Sequence, residues 1–407
     1  MTQKLFTVLF TILMAALSVS AQYSPTNARI RSIAGIYTID DITNVYRYAA
    51  YMSRYTDDIQ VTFSTPMLGI KSIGEIVTLG AYVRNGLVLD TEGEHFYGLG
   101  RTFLNNSLDP DITRDPTYIP HALLGFKAGA VTLGFDLFIE WANTRLDSKT
   151  SGTPTTTTSM NSTLRNPGFI GSLLLDIKSF PVSLKAGIAF PGISGVSEIN
   201  DGTTTTEYEY KSDKGFYMEL GGEIGLSPGS IRVTAGADYI LESYAFQVNS
   251  GDPTNEYALN RLAIFSSLQK EAFDNGLWAV LYQMKFRARK NDAAESTTPD
   301  ITDKTFIHHL VAGIENGWEN VWLFDNIFLR GGVVLQLVTE YDKSENNDTK
   351  TTSKNQKVFT AGPSVGFGVN KGLFELDVQL GLNPGSGGWE KLLTGPGVAT
   401  VTGTLRF

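Results

Sequence analysis

The sequence predicts an all-β protein, a transmembrane antiparallel up-and-down β-barrel of 14 to 16 strands with an N-terminal plug-like segment. Three observations predict it: an export leader, long segments whose apolar residues alternate with period two, and connections that are alternately short and long.

Residues 1–21 read as a secretory signal. Lys4 gives a positive start, Leu5 to Leu17 an apolar stretch, and Val19-Ser20-Ala21 a small-residue cleavage site before Gln22. The apolar run is shorter than the roughly 20 residues that a spanning helix needs. Loss of Lys4 leaves 32 basic against 42 acidic side chains, a balance that argues against nucleic acid as a partner. The chain has no cysteine, so an exported fold must be held by a large core or a closed sheet rather than by disulfides.

After the leader no apolar run is long enough to cross a bilayer as a helix, although 42% of residues are apolar and 41 are glycine. Barrel strands look only half hydrophobic, because lipid-facing and lumen-facing residues alternate, so period has to decide. In Phe374 to Leu382, Phe374, Leu376, Val378, Leu380 and Leu382 share one face, opposite Glu375, Asp377, Gln379 and Gly381. Phe216 to Leu226 alternates in the same way, with Glu219 and Glu223 on the polar side. The pattern recurs in 131–141 (Asp136 and Glu140 polar), 231–242 (Arg232, Asp238 and Glu242 polar) and 278–288 (Lys285 and Arg287 polar). Helical spacing would mix the charges into the apolar positions; here they keep to odd or even places.

Short connections include Asn85-Gly86, Lys127 to Ala130, Ser179-Phe180-Pro181, Ser227-Pro228-Gly229, Asp274-Asn275-Gly276 and Asn370-Lys371-Gly372, all rich in turn-forming residues. Long ones run from Arg145 to Pro167, Ser194 to Lys214, Val248 to Glu256, Lys290 to Asp303, Asp342 to Gln356 and Asn383 to Pro396; several carry threonine runs read as solvated loop tips. That asymmetry belongs to barrels with short periplasmic turns and long external loops. Asn316 to Asn326 breaks it, and Trp318, Trp322 and Phe324 make it an interfacial segment. Strands are expected near 58–64, 75–84, 87–103, 118–126, 131–143, 168–178, 182–192, 214–226, 230–246, 257–271, 277–290, 304–315, 327–341, 357–369, 373–382 and 397–407. The even total suits a barrel with both ends on the periplasmic side.

The last strand, Val398 to Phe407, sets Phe407, Leu405, Val401 and Ala399 against Arg406 and three threonines. It resembles the terminal signal by which outer-membrane barrels are recognised by the barrel-assembly machinery, with Phe407, Leu405 and Val401 as its apolar positions. Outer-membrane lipid and the bacterial outer membrane follow as surroundings and location.

Residues 22–57 do not alternate cleanly, and residues 58–407 are read as the barrel. The stretch from Ile36 to Asp58 resembles the N-terminal region of the FadL-type transporters of long-chain fatty acids and other hydrophobic molecules. In that family an aspartate-rich turn precedes an Asn-Pro-Ala-like element in a hatch inside the barrel. Asp40, Asp41 and Asn44 take the corresponding places, while Tyr48-Ala49-Ala50 replaces Asn-Pro-Ala. The resemblance implies a plug carrying Tyr46, Tyr48, Tyr51 and Met52, with a hydrophobic small molecule as cargo; a periplasmic tail is the alternative.

The expected lumen lining is Asp136, Glu140, Glu219, Glu223, Asp238, Glu242, Glu375 and Asp377, balanced by Lys185, Arg232, Lys285, Arg287 and Arg406. Opposite charges there pair across strands and set a field that filters solutes. His95, His121, His308 and His309 show no metal-ligand spacing, and no phosphate-binding glycine loop opens a helix, so no cofactor or metal is expected. The sequence thus predicts a non-enzymatic channel or transporter for small molecules. A non-conducting scaffold barrel that binds partner proteins is the alternative, and a hydrolase built on His308 or His309 a third reading.

Overall fold

A computed structural model describes residues 29–30, 33, 36, 38–39, 41–55, 57–62, 67–85, 118–150, 156–177, 180–190, 192–200, 203–248, 254–272, 275–292, 300–346, 349–381 and 398–406. Two short 3-10 helices, Ile42–Tyr46 and Ala49–Arg54, precede the sheet. The strands then follow in order: β1 (Asp58–Thr62), β2 (Met67–Ile73), β3 (Val77–Asn85), β4 (Tyr118–Ala128), β5 (Val131–Thr150) and β6 (Thr156–Leu175). Next come β7 (Val182–Ala189), β8 (Gly192–Asn200), β9 (Thr205–Leu226), β10 (Ile231–Val248), β11 (Thr254–Ala272) and β12 (Gly276–Asp292). The last five are β13 (Asp300–Val321), β14 (Phe324–Asn346), β15 (Thr349–Lys371), β16 (Phe374–Gly381) and β17 (Val398–Arg406).

Apart from β7 and β8, each strand pairs antiparallel with its neighbours in sequence, and β1 pairs with β17 from Asp58↔Arg406 to Thr62↔Thr402, which closes the ring. Both β7 and β8 lie between β6 and β9, so the seventeen strands make sixteen staves. The stave is split between Ala189, where β7 ends, and Gly192, where β8 begins.

Alternation fixes what each face meets. Leu133, Leu137 and Ile139 on β5, Leu220, Ile224 and Leu226 on β9, and Leu310 and Ile314 on β13 are exposed on the outside of the ring. Their neighbours Thr132, Asp136, Glu219 and Glu315 are buried on the inside. Oily residues outside a closed sheet and charged ones inside is the inverse of a water-soluble barrel, and it is the arrangement that a bilayer stabilises. The protein is a transmembrane β-barrel of the outer-membrane type. Val378 and Val401 face outward by parity but are covered, lying directly opposite each other on β16 and β17.

Strand positions depart from the sequence expectation in four places. The stretch 87–103 lies outside the described residues, and β3 pairs directly with β4, so the ring closes without it. The missing stave is β2, whose apolar Leu68 and Ile70 turn inward while Gly69 and Lys71 lie on the other face, the reverse of the expected pattern. The long loops shrink because β5, β6, β9, β14 and β15 run on for 20 to 23 residues, about twice what a bilayer crossing needs. The threonine runs largely belong to these extensions, as β-branched residues fit a pleated strand. Finally, Asn316 to Asn326 is a tight hairpin: β13 continues to Val321, Trp322 adopts a left-handed φ of 62°, and β14 starts at Phe324. Trp318 and Trp322 remain exposed at its end, as expected for interfacial aromatics.

The outward apolar band gives a direct test. Leu137→Lys should destabilise the barrel by about 2–4 kcal/mol through placing a charge against lipid. A lysine at inward Gln283 should cost far less. Urea titration in lipid vesicles, read by the gel mobility difference between unheated and boiled samples, checks the order; equal effects would contradict the assignment of faces.

Candidate functional site

The interior is occupied on two opposite walls by the described residues from Arg29 to Tyr55. On one side Ile42, Val45, Tyr48, Ala49, Ala50, Tyr51 and Met52 are buried against Leu68, Ile70, Tyr82, Leu123 and Leu174 of β2, β3, β4 and β6. On the other, Ile30, Ile33, Ile36 and Ile39 pack against Phe265, Ala279, Leu281 and Val311 of β11 to β13. Each fully buried isoleucine of that kind contributes about 1.5–3 kcal/mol.

Local chemistry shapes the segment. The Asp41 carboxylate accepts from the Thr43 N–H at 2.9 Å and caps the first 3-10 helix, and the Asn44 amide donates to the Ile39 carbonyl at 2.9 Å. Inward glycines supply room. A Cβ on Gly134 would lie 2.1 Å from the Ala50 nitrogen, and one on Gly313 would lie 2.9 Å from the Ile33 Cβ and carbonyl oxygen. Both walls are therefore hollowed at the points where this backbone touches them.

Polar bonds cross the seam at several heights. The Ala50 N–H donates to the Ser172 hydroxyl at 2.9 Å, and the Tyr51 hydroxyl donates to Glu223 at 2.9 Å beside Ser183 at 3.1 Å. Arg47 pairs with Glu223 at 3.0 Å, Arg54 with Asp176 at 2.8 Å, and the Gln269 amide donates to the Thr38 carbonyl at 2.7 Å. Burial, reinforced by the Glu223 charge, pushes the Tyr51 phenol up to about 12, and burial also holds Tyr48 well above its ordinary value, so both stay protonated.

Two ion clusters stand on the wall. In the first, Arg330 of β14 reaches Glu315 of β13 and Asp377 of β16, and Arg29 forks onto both Glu315 oxygens at 3.0 Å with Asp41 3.4 Å away. Burial opposes the Arg29 charge, but Glu315 and Asp41 outweigh it and raise its pKa above the ordinary value. In the second, Lys185 lies 3.4 Å from both Glu219 and Asp238, and the Tyr217 hydroxyl donates to Glu219 at 2.6 Å. A third polar group joins His121 Nδ1 to Asp136 at 2.8 Å; the Tyr82 ring stacks on His121 at 3.9 Å and its hydroxyl donates to Asp136 at 2.9 Å. Tyr46 meets Tyr82 edge-on at 4.9 Å.

The expected lumen residues divide accordingly. Asp136, Lys185, Glu219, Glu223, Asp238, Glu242 and Asp377 are inside and buried or half-buried, and Glu375 pairs with the exposed Arg406 at 2.9 Å at the end nearest Asp58. Arg287 donates to Thr305 at 3.0 Å, while Arg232 and Lys285 are half-buried. The Glu140 side chain, Asp40 and Phe407 lie outside the described residues; Leu405 is exposed on the outer face and Val401 covered. Asp41, Asn44, Tyr48, Tyr51 and Met52 are buried in the interior, with Tyr46 half-buried beside them. Sequence reasoning missed Arg29, Arg47, Arg54, Glu315, Arg330 and the Tyr82–His121–Asp136 group. His308 turns outward and bonds Tyr282 at 2.9 Å.

Two substitutions test this account. Arg330→Met leaves Glu315 and Asp377 buried without their shared partner and should destabilise the barrel by about 3–5 kcal/mol, read by urea titration. Gly134→Val should spare the ring yet expel the second 3-10 helix from its seat. Limited trypsin treatment should then cut at Arg47 or Arg54 in the variant, whereas protection equal to wild type would show that the helix is not seated there.

No family model matches the chain, and no curated protein sequence matches it. Among solved structures it is similar to the toluene transporter TodX of Pseudomonas putida, at 10% identity over 96% of this chain and 100% of that one, with a TM-score of 0.40. It is similar also to the toluene transporter TbuX of Ralstonia pickettii, at 10% identity over 94% and 98% with a TM-score of 0.41. A third likeness is to CdiB from Escherichia coli, at 9% identity over 86% and 62% with a TM-score of 0.44. At such distances the functional reading rests on this chain's own geometry.

Proposed function

We propose that the protein is a gated outer-membrane channel that admits small molecules, with residues 22–57 as its hatch and residues 58–407 as its wall. The observation that carries the reading is the fit between interior segment and wall. A segment that packs against two opposite walls of a sixteen-stave ring and seats its backbone on inward glycines would control what passes through that ring. A barrel of this size leaves a lumen when nothing occupies it.

The cargo in this reading is a small hydrophobic or amphipathic molecule. Support comes from the apolar inner wall against which the segment packs, formed by Leu68, Ile70, Leu123 and Leu174, which carry no hydrogen-bonding groups. The toluene transporters named above are proteins of such cargo.

Planar-bilayer recording tests the channel. Purified wild-type protein should give rare, brief current steps, and protein lacking residues 22–55 should give frequent, larger ones. Silence from both, with the heat-dependent gel shift intact, would point instead to a non-conducting scaffold barrel. Uptake of a fluorescent hydrophobic probe into vesicles then tests the cargo class against a charged probe of similar size.

A further inference from the structure

We propose that the outer surface of the barrel carries a binding site for a phosphorylated glycolipid of the external leaflet, built where β6, β8 and β9 run side by side. Arg165 and Lys211 take the phosphates, and the apolar band beneath them takes the acyl chains. The site lies on the face turned to lipid, so it holds whether or not the barrel conducts.

Register puts both cations on that face. Phe169 of β6 and its partner Ile188 of β7 are exposed to lipid, and Arg165, four residues before Phe169 on the same strand, shares its parity and is itself exposed. Arg165 lies opposite Gly192 of β8, and Lys211 of β9, also exposed, lies opposite Ser194. Two strand spacings across and two residues along separate the two Cα atoms by about 12 Å. The outward positions between them are Gly192, Ser194 and Thr163, the last two directly paired, so no large side chain fills the gap and both cations can close on a group set down in it. Neither has an ion pair or hydrogen bond among the described residues, whereas Lys185 and Arg330 of the interior each meet two carboxylates.

Height in the membrane fits a headgroup. Leu175, the periplasmic end of β6, is ten residues from Arg165. At about 3.3 Å per residue and a tilt near 40° that is a climb of about 25 Å, the height of the apolar band of such barrels. Just below Arg165 and Lys211 the surface is aromatic: Phe190 is exposed at the break between β7 and β8 with Phe216 at 6.4 Å, and Phe169 stacks with Phe135 at 5.8 Å. Acyl chains of a lipid held at the two cations run down over these rings.

Above the cations the sign of the wall reverses. Glu209 stands next outward from Lys211, and Glu198 and Glu207 lie directly opposite each other one place further out, all three exposed. An anion arriving from the external solution meets those carboxylates first, while a lipid already in the leaflet reaches Arg165 and Lys211 from the membrane side. That order selects a lipid over a free phosphate. A headgroup with more than one phosphate suits two cations set apart, which favours a glycolipid phosphorylated at both ends of its sugar over a phospholipid.

The test titrates the purified protein in neutral detergent with bisphosphorylated lipid A and reads retained lipid by native mass spectrometry. Wild type should keep lipid A in preference to its dephosphorylated form and to phosphatidylglycerol. Arg165→Gln with Lys211→Gln should weaken retention on the order of ten-fold, with the heat-dependent gel shift unchanged. Lys304→Gln removes another exposed lysine of the outward face, on β13 beside Phe306, and should leave retention as in wild type. An equal loss from Lys304→Gln would show diffuse attraction and overturn the site. Equal retention of the dephosphorylated form or of phosphatidylglycerol overturns the choice of ligand, displacement by inorganic phosphate overturns the choice of a lipid, and a wild-type protein that keeps no lipid A overturns the proposal outright.

Discussion

Closure of the ring is the constraint on which everything else depends. In hydrocarbon an unpaired backbone N–H or carbonyl has no water to bond, so a sheet can cross a membrane only if its first and last strands find each other. Here β1 and β17 do so over five registered pairs, although β1 is only five residues long. An even count of staves lets that last pairing be antiparallel like the others, and it puts Asp58 and Arg406 at the same end. Once the ring is closed, each strand has one face for lipid and one for the interior, and the side chains sort accordingly.

The interior that results is neither an open aqueous pore nor a uniform core. Where residues 29–55 lie against it, the wall joins apolar side chains and glycines to single carboxylates, Glu223 and Glu315, that meet the arginines of that segment. That mixture explains why the inward residues of β2 are leucine and isoleucine, while those of β5 and β9 include aspartate and glutamate. A lumen lined wholly by charge could not bury Ile30, Ile33, Ile36 and Ile39, and one lined wholly by apolar residues would have nothing to orient Arg29, Arg47 and Arg54.

The fold was legible wherever one face of a strand meets lipid and the other meets polar groups, as in Phe216 to Leu226 and Phe374 to Gly381, because that contrast writes a period of two into the sequence. Legibility failed where the contrast disappears. In β2 the contrast is reversed, because Leu68 and Ile70 turn inward to touch residues 42–52 while Lys71 is exposed on the other face. In the extension of β9, Thr205, Thr206 and Glu207 are all exposed, so both faces are wet and the threonine run reads as a loop. The candidate site was harder. Asp377, Glu219 and Lys185 stand out by parity, but Arg29 and Glu315 are 286 residues apart, and nothing local marks either as the other's partner. Arg330 sits beside two glycines in an otherwise apolar strand; an isolated inward charge flanked by small residues was the only available sign of a buried ion cluster.

The same reasoning bears on why buried charge is tolerated here at all. Replacing a well-made buried ion pair by apolar residues is often neutral or stabilising, so such clusters are poor explanations of stability by themselves. Their value in this barrel is positional. Arg330 ties β13, β14 and β16 together on the inner surface and presents Glu315 with one side already compensated, ready to accept a second arginine without depending on it. A wall of leucine and valine at that point would hold the hatch by contact area alone, in any register that fits. A carboxylate already paired with Arg330 takes Arg29 in one place, by one side chain.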